Sequence, residues 1–143
     1  MKILAFLPAA LVLTLGACDR GVPAPAATPS VSAIAEQPSV PDETKDPTGM
    51  LTIAPGAIDL CTAVDGAAAM EVRWDAAKAN TDGIKIFLTD PSTGDVKLWL
   101  AAPPQGSDKT GNWMREGTVV RLLNANTDAE LASLTVTSVA CKR

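Results

Sequence analysis

Apolar and polar positions divide this chain into three stretches. Ile3 to Leu15, "ILAFLPAALVLTL", is a nearly pure apolar run preceded by Lys2. Residues 19–48 then hold almost no large apolar residue beyond Val22, Val31, Ile34 and Val40. From about Gly49 onward the pattern has period two, the spacing that puts alternate side chains on opposite faces of a strand. "AMEVRWDA" alternates Met70, Val72 and Trp74 with Glu71, Arg73 and Asp75. "GIKIFLTD" sets Ile84, Ile86 and Leu88 on one face, and "DVKLWLA" does the same with Val96, Leu98 and Leu100. "GTVVRLLNA" and "AELASLTVTSVAC" supply two more β-rich runs, and "MLTIAPGAIDLC" gives an opening pair broken around Pro55 and Gly56. Between them lie "DPSTGD", "PPQGSDKTGN" and "NANTD", all turn chemistry. No segment carries a helical stripe, "WDAAKAN" is one turn at most, and no repeat is visible. Short strands at this spacing predict an antiparallel sandwich or barrel.

The opening run has the form of a secretory signal peptide over residues 1–17: a positive start, thirteen apolar residues, then small residues. It is shorter than the roughly 20 residues a spanning helix needs, and Pro8 interrupts it. Its end, Leu15-Gly16-Ala17-Cys18, resembles the bacterial lipobox. That resemblance implies cleavage before Cys18, a diacylglycerol on its thiol and acylation of the new amine. Each buried methylene contributes about 0.8 kcal/mol, and two or more chains make a stable anchor. The expected location is therefore the envelope of a Gram-negative bacterium, on a membrane through the lipid on Cys18 and facing the periplasm. Asp19 resembles a retention signal for the inner membrane.

Residues 19–48 carry six prolines among many Ala, Ser and Thr, and a net charge of minus three. Such a stretch cannot bury enough surface to offset its ordering entropy, so residues 18–48 are expected to form a disordered tether that favours extended polyproline segments. Fully extended, it would reach about 100 Å.

The folded part is expected over residues 49–143, enough for one domain. It holds nine basic and eleven acidic residues with no basic run, so nucleic-acid binding has no electrostatic support. Cys61 and Cys141 remain, and in an oxidising compartment a disulfide between them is the expected state. The competing role for either is a free thiol nucleophile.

Within the folded part, the Ile53-to-Cys61 spacing, "RWDA", "DPSTGD" and "GSDKTGNWMREGTVVRLL" resemble small bacterial immunoglobulin-like sandwich modules. The resemblance covers roughly residues 51–140 and is strongest at Thr110, Gly111, Trp113, Gly117, Thr118 and Val120. It implies a single antiparallel immunoglobulin-like β-sandwich. Trp74 follows Cys61 at an immunoglobulin-like interval, but no Tyr is present to form a tyrosine corner. Cys141 ends the last strand, so its bond should staple the opening strand to the last instead of bridging the sheets centrally.

Catalysis has little material. The chain has no His and no Tyr, no Ser-x-x-Lys pair, and two domain cysteines expected to be oxidised. Carboxylates alone make a poor zinc set, and no cofactor or metal is expected. "NTDG", Asn80 to Gly83, lacks the later ligands of a calcium loop and reads as an Asx turn. A glycosidase needs only two carboxylates, and Asp65, Asp82, Asp90, Asp95, Asp108 and Asp128 are scattered through turns.

One constellation remains. With a three-residue turn at Ser92–Gly94, the hairpin would set Phe87 opposite Trp99 and Thr89 opposite Lys97. Lys85, Phe87, Lys97 and Trp99 would then form an outward aromatic platform flanked by lysines, suited to a sugar ring or a protein hot spot. The competing placement packs Trp99 beneath a neighbouring strand or loop. The expected function is a non-catalytic binding or scaffolding module for an envelope protein or polysaccharide. The alternative is an immunity or inhibitor lipoprotein that blocks a secreted cell-wall hydrolase.

Overall fold

A computed structural model describes residues 39–141. The expected signal peptide, Cys18 and most of the expected tether lie outside the described residues. In chain order the strands are β1 (Thr44–Lys45), β2 (Leu51–Ala54), β3 (Ile58–Asp59), β4 (Ala67–Ala68), β5 (Glu71–Asp75) and β6 (Ile84–Thr89). They continue with β7 (Val96–Ala102), β8 (Gln105–Lys109), β9 (Met114–Arg115), β10 (Val119–Asn124), β11 (Glu130–Thr135) and β12 (Ser138–Val139). A single 3-10 turn, Ala77–Ala79, follows β5.

Two four-stranded antiparallel sheets form the body, in the orders β1-β2-β5-β8 and β11-β10-β6-β7. The chain passes from β5 to the β6–β7 hairpin in the second sheet, returns to β8, then crosses again to β10 and β11. This is an all-β, immunoglobulin-like sandwich, with β7 paired to β6 on the second sheet. The period-two pattern explains it. Leu51 lies opposite Trp74 and Ile53 opposite Val72 in the first sheet, while Ile86 lies opposite Leu122 and Leu88 opposite Val120 in the second. These inward residues form one buried cluster with Ile58, Met70, Ile84, Met114 and Val136. Each fully buried large side chain contributes about 1.5–3 kcal/mol. Trp74 is accommodated because its partner strand carries Gly106, where a Cβ would lie 2.7 Å from Trp74 Cζ2. The indole N–H donates to the Pro103 carbonyl at 3.0 Å.

Two short ladders close the ends. β4 pairs with β9, and β3 pairs with β12 in parallel. Just past that parallel ladder, the Sγ atoms of Cys61 and Cys141 lie at disulfide distance, with Cα atoms 5.1 Å apart. The bond therefore fastens the opening segment to the last strand, and Cys61 sits outside both large sheets.

Two expectations need correction. The folded unit begins upstream of Gly49. Thr44 and Lys45 pair with Ile53 and Thr52, and the Pro41 carbonyl accepts the Gly56 N–H at 2.7 Å. Asp46 is buried: Oδ1 accepts from the Leu51 N–H at 2.7 Å, and Oδ2 from the Thr48 N–H at 2.8 Å and from the Thr48 hydroxyl. A Pro-rich, charged composition hid a short strand held by its pairing with β2, by the Thr44 hydroxyl on the Gly56 carbonyl and by the Asp46 carboxylate that follows it. Likewise Gln105–Lys109, within the stretch expected as turn chemistry, forms β8. Every residue of β8 is exposed at the sheet edge, so nothing required alternation there.

Candidate functional site

The β6–β7 hairpin does not have the expected register. Asp90 N–H donates to the Asp95 carbonyl at 2.8 Å, so four residues, Pro91 to Gly94, make the turn, and Gly94 adopts φ +75°. Phe87 therefore lies opposite Leu98, Leu88 opposite Lys97 and Thr89 opposite Val96. The pairing returns to Ile86 opposite Leu100 beyond a bulge that leaves Trp99 unopposed. Because side chains alternate, this one-residue shift turns Val96–Leu98 over relative to the expected pattern. Val96 and Leu98 share the outer face with Phe87, whereas Lys97 shares the inner face with Leu88.

The expected platform therefore separates. Lys85 and Phe87 lie on the outer face of the second sheet, half-buried, and the Lys85 ammonium pairs with Asp128 at 2.8 Å. Lys97 and Trp99 instead line a groove of about 480 Å³ at the hairpin's end, together with Leu88, Asp90, Asp95, Trp113 and Arg115. Trp99 packs against the buried cluster on one side, matching the competing placement, and meets Trp113 on the other. The two indoles are edge-on, with centroids 6.4 Å apart and planes at 75°.

The far wall comes from the segment that carries the immunoglobulin-like resemblance. Thr110 is buried, its hydroxyl accepting the Met70 N–H at 2.9 Å and donating to the Gly111 carbonyl. Trp113 folds back over Gly111, where a Cβ would come within 2.7 Å of the indole. Gly117, at φ +84°, lets the following turn approach Pro91 of the hairpin. Threonine, glycine and tryptophan in this order thus hold one indole, 45% exposed, against the hairpin.

Charge in the groove is uneven. The Asp90 carboxylate turns back into its own loop, accepting from the Ser92 hydroxyl, the Ser92 N–H and the Thr93 N–H. The Ser92 hydroxyl foremost, then those amides, hold its pKa below the ordinary carboxylate value. Arg115 donates from Nη1 to the Asp65 carbonyl at 2.6 Å. Among the described residues, Lys45, Arg73, Lys85 and Arg121 pair with carboxylates, whereas Lys78, Lys97, Lys109 and Arg115 have none within 4.0 Å; Lys97 still lies near enough to Asp90 to help hold that carboxyl's pKa down. The groove can stack a flat apolar or aromatic face, and it sets Lys97 and Arg115 beside Asp90 and Asp95.

Asp59 lies beside Cys61 and Cys141, a set with the composition of a metal centre, but the two sulfurs are bonded to each other. Asp59 Oδ1 instead accepts the Cys61 N–H at 2.8 Å. No protein-family model, curated protein or solved structure matches this chain.

Sequence reasoning missed Trp113 and Arg115 as partners of Trp99. The available signal was the "TGNWMR" segment, which the resemblance singled out as structural motif and not as a wall of a site.

Proposed function

We propose that this protein is a lipid-anchored module of the Gram-negative envelope, held by Cys18 and facing the periplasm, that binds an envelope partner without transforming it. The observation that carries this reading is the groove itself: two edge-on tryptophans in a concave site beside Lys97 and Arg115, neither of which closes an ion pair with a carboxylate. Exposed tryptophan in a concave site beside unpaired charge has the character of a binding hot spot. The groove offers no histidine and no thiolate, and its Asp90 is tied into a turn as a low-pKa acceptor. The apolar run ending in Leu15-Gly16-Ala17-Cys18 supports the anchor.

The test uses the full chain as bait in envelope extract, with Trp113→Ala as its control. The reading predicts a protein or glycan recovered by the native chain and lost with the variant. Equal recovery by both removes the groove from the function. Recovery of one cell-wall hydrolase at near-equal ratio, with its activity blocked, would replace the binding module by an inhibitor. In parallel, Cys18→Ser should release the protein from the membrane fraction and leave the precursor uncleaved; continued membrane attachment with normal processing would refute the anchor.

A further inference from the structure

Four strand edges bound the two sheets, and they are not alike. β1 is two residues long and carries Lys45; β8 presents Gln105, Ser107, Asp108 and Lys109; β11 begins at Glu130 and is mostly polar at its exposed positions. Such short or charged edges resist pairing with another chain. β7 differs: it is seven residues long and exposes Val96 and Leu98 at 53% each.

The backbone of that edge is open. Asp95 directs its carbonyl to Asp90 on the β6 side. Hydrogen-bonded positions alternate along an antiparallel strand, so Lys97 also faces β6, while Val96 and Leu98 aim N–H and C=O away from it. Among the described residues, no loop or turn bonds those groups. The bulge at Trp99 then ends the open stretch. Lys97, between them, points inward over the groove beside Leu88; Asp90 and Asp95 line the same groove, and neither comes within 4.0 Å of its ammonium. A second copy pairing antiparallel about this residue would set Lys97 against Lys97, and like charges directly opposite are destabilising. The edge is thus apolar enough to pair and charged against pairing with itself.

We infer that Val96–Leu98 receives an extended polypeptide strand from another protein, with apolar residues opposite Val96 and Leu98 and an acidic residue between them reaching Lys97. The alternation of a strand places the two apolar side chains on the outer face and the carboxylate over the groove. Main-chain groups at strand spacing favour a polypeptide over a glycan, and Lys97 selects its central charge. This inference rests on the groove's being the binding site.

The experiment measures anisotropy of fluorescein-labelled peptides on the full chain in detergent. The probe is Thr-Thr-Val-Glu-Val-Thr-Thr, compared with its Lys-centred counterpart and with a version N-methylated at both valines. The Glu peptide should bind at least about fivefold tighter than the Lys peptide, as expected when a cross-strand attraction becomes a repulsion. Lys97→Glu, checked by its melting curve, should reverse that order, and N-methylation should weaken binding several-fold. Equal binding of the Glu and Lys peptides, an order unchanged by Lys97→Glu, or indifference to N-methylation overturns the proposal. So does failure of every peptide to bind. If the peptides fail while envelope-derived oligosaccharides bind in a Trp113-dependent way, the strand proposal falls and the binding-module reading stands. If nothing depends on Trp113, both fall.

Discussion

Asp46→Ala should be far more damaging than its position in a Pro-rich, charged segment suggests. The carboxylate is buried and accepts from the Leu51 N–H at 2.7 Å, the Thr48 N–H at 2.8 Å and the Thr48 hydroxyl. Leu51 is fully buried, so alanine leaves its N–H without that partner. A buried donor stripped of its acceptor costs about 1–3 kcal/mol. For a domain of this size each kcal/mol lowers Tm by about 4–8 °C, so a fall of roughly 5–20 °C is expected. Acid adds a second signature. Burial alone would raise the Asp46 pKa, but the bonds from the Thr48 hydroxyl and the Leu51 and Thr48 amides outweigh it and hold the carboxyl below its ordinary value. A depressed folded-state pKa gives stability that is complete above the unfolded value of about 3.9 and disappears as pH falls through the folded one. The native chain should therefore lose more stability than Asp46→Ala or Asp46→Asn between about pH 5 and pH 2. The assay is thermal unfolding by circular dichroism on the full oxidised chain, repeated across that range. A variant melting within a degree of native, with a parallel acid limb, would show that Asp46 does not hold β1 to β2.

Reduction of the Cys61–Cys141 bond, which closes 80 residues, should cost about 4–5 kcal/mol by the chain-entropy estimate; a Tm unmoved by reductant refutes the staple. Trp99→Ala should lower the melt distinctly more than Trp113→Ala, because Trp99 packs on the buried cluster while Trp113 is 45% exposed; the reverse order would mean that the groove is built the other way round. Gly106→Ala places a methyl 2.7 Å from Trp74 Cζ2, and the indole is held by its bond to Pro103, so a loss of about 1–3 kcal/mol is expected in the melt.

The strands that sequence reading located are those buried on one face. Ile84, Ile86 and Leu88, or Val72 and Trp74, advertise themselves because a one-residue slip would expose them. β8 and β1 escaped because an exposed edge imposes no alternation, and what holds them leaves no periodic trace: the face of Trp74 against Gly106, and the Asp46 carboxylate on the Leu51 N–H. The site was lost for a different reason. Val96, Leu98 and Leu100 alternate faithfully, yet a four-residue turn and a bulge at Trp99 put the first two and the third on opposite faces. Pattern fixes a side chain's face only while the register is unbroken, and both the turn length and the bulge are decided by backbone hydrogen bonds. The wall supplied by Trp113 comes from another turn entirely, brought near by Gly117 against Pro91.

The bond between Cys61 and Cys141 also turns most of the domain into a covalent ring from which a tail, Ser39 to Leu60, departs. The groove, the β7 edge and all nine strands from β4 to β12 belong to the ring. One proteolytic cut anywhere inside it, whether in the exposed Ser92 turn or after Pro104, releases no fragment. Both halves stay joined to the same tail and to each other through the sheets, so the nicked protein keeps both walls of its groove; only a second cut can shed a piece.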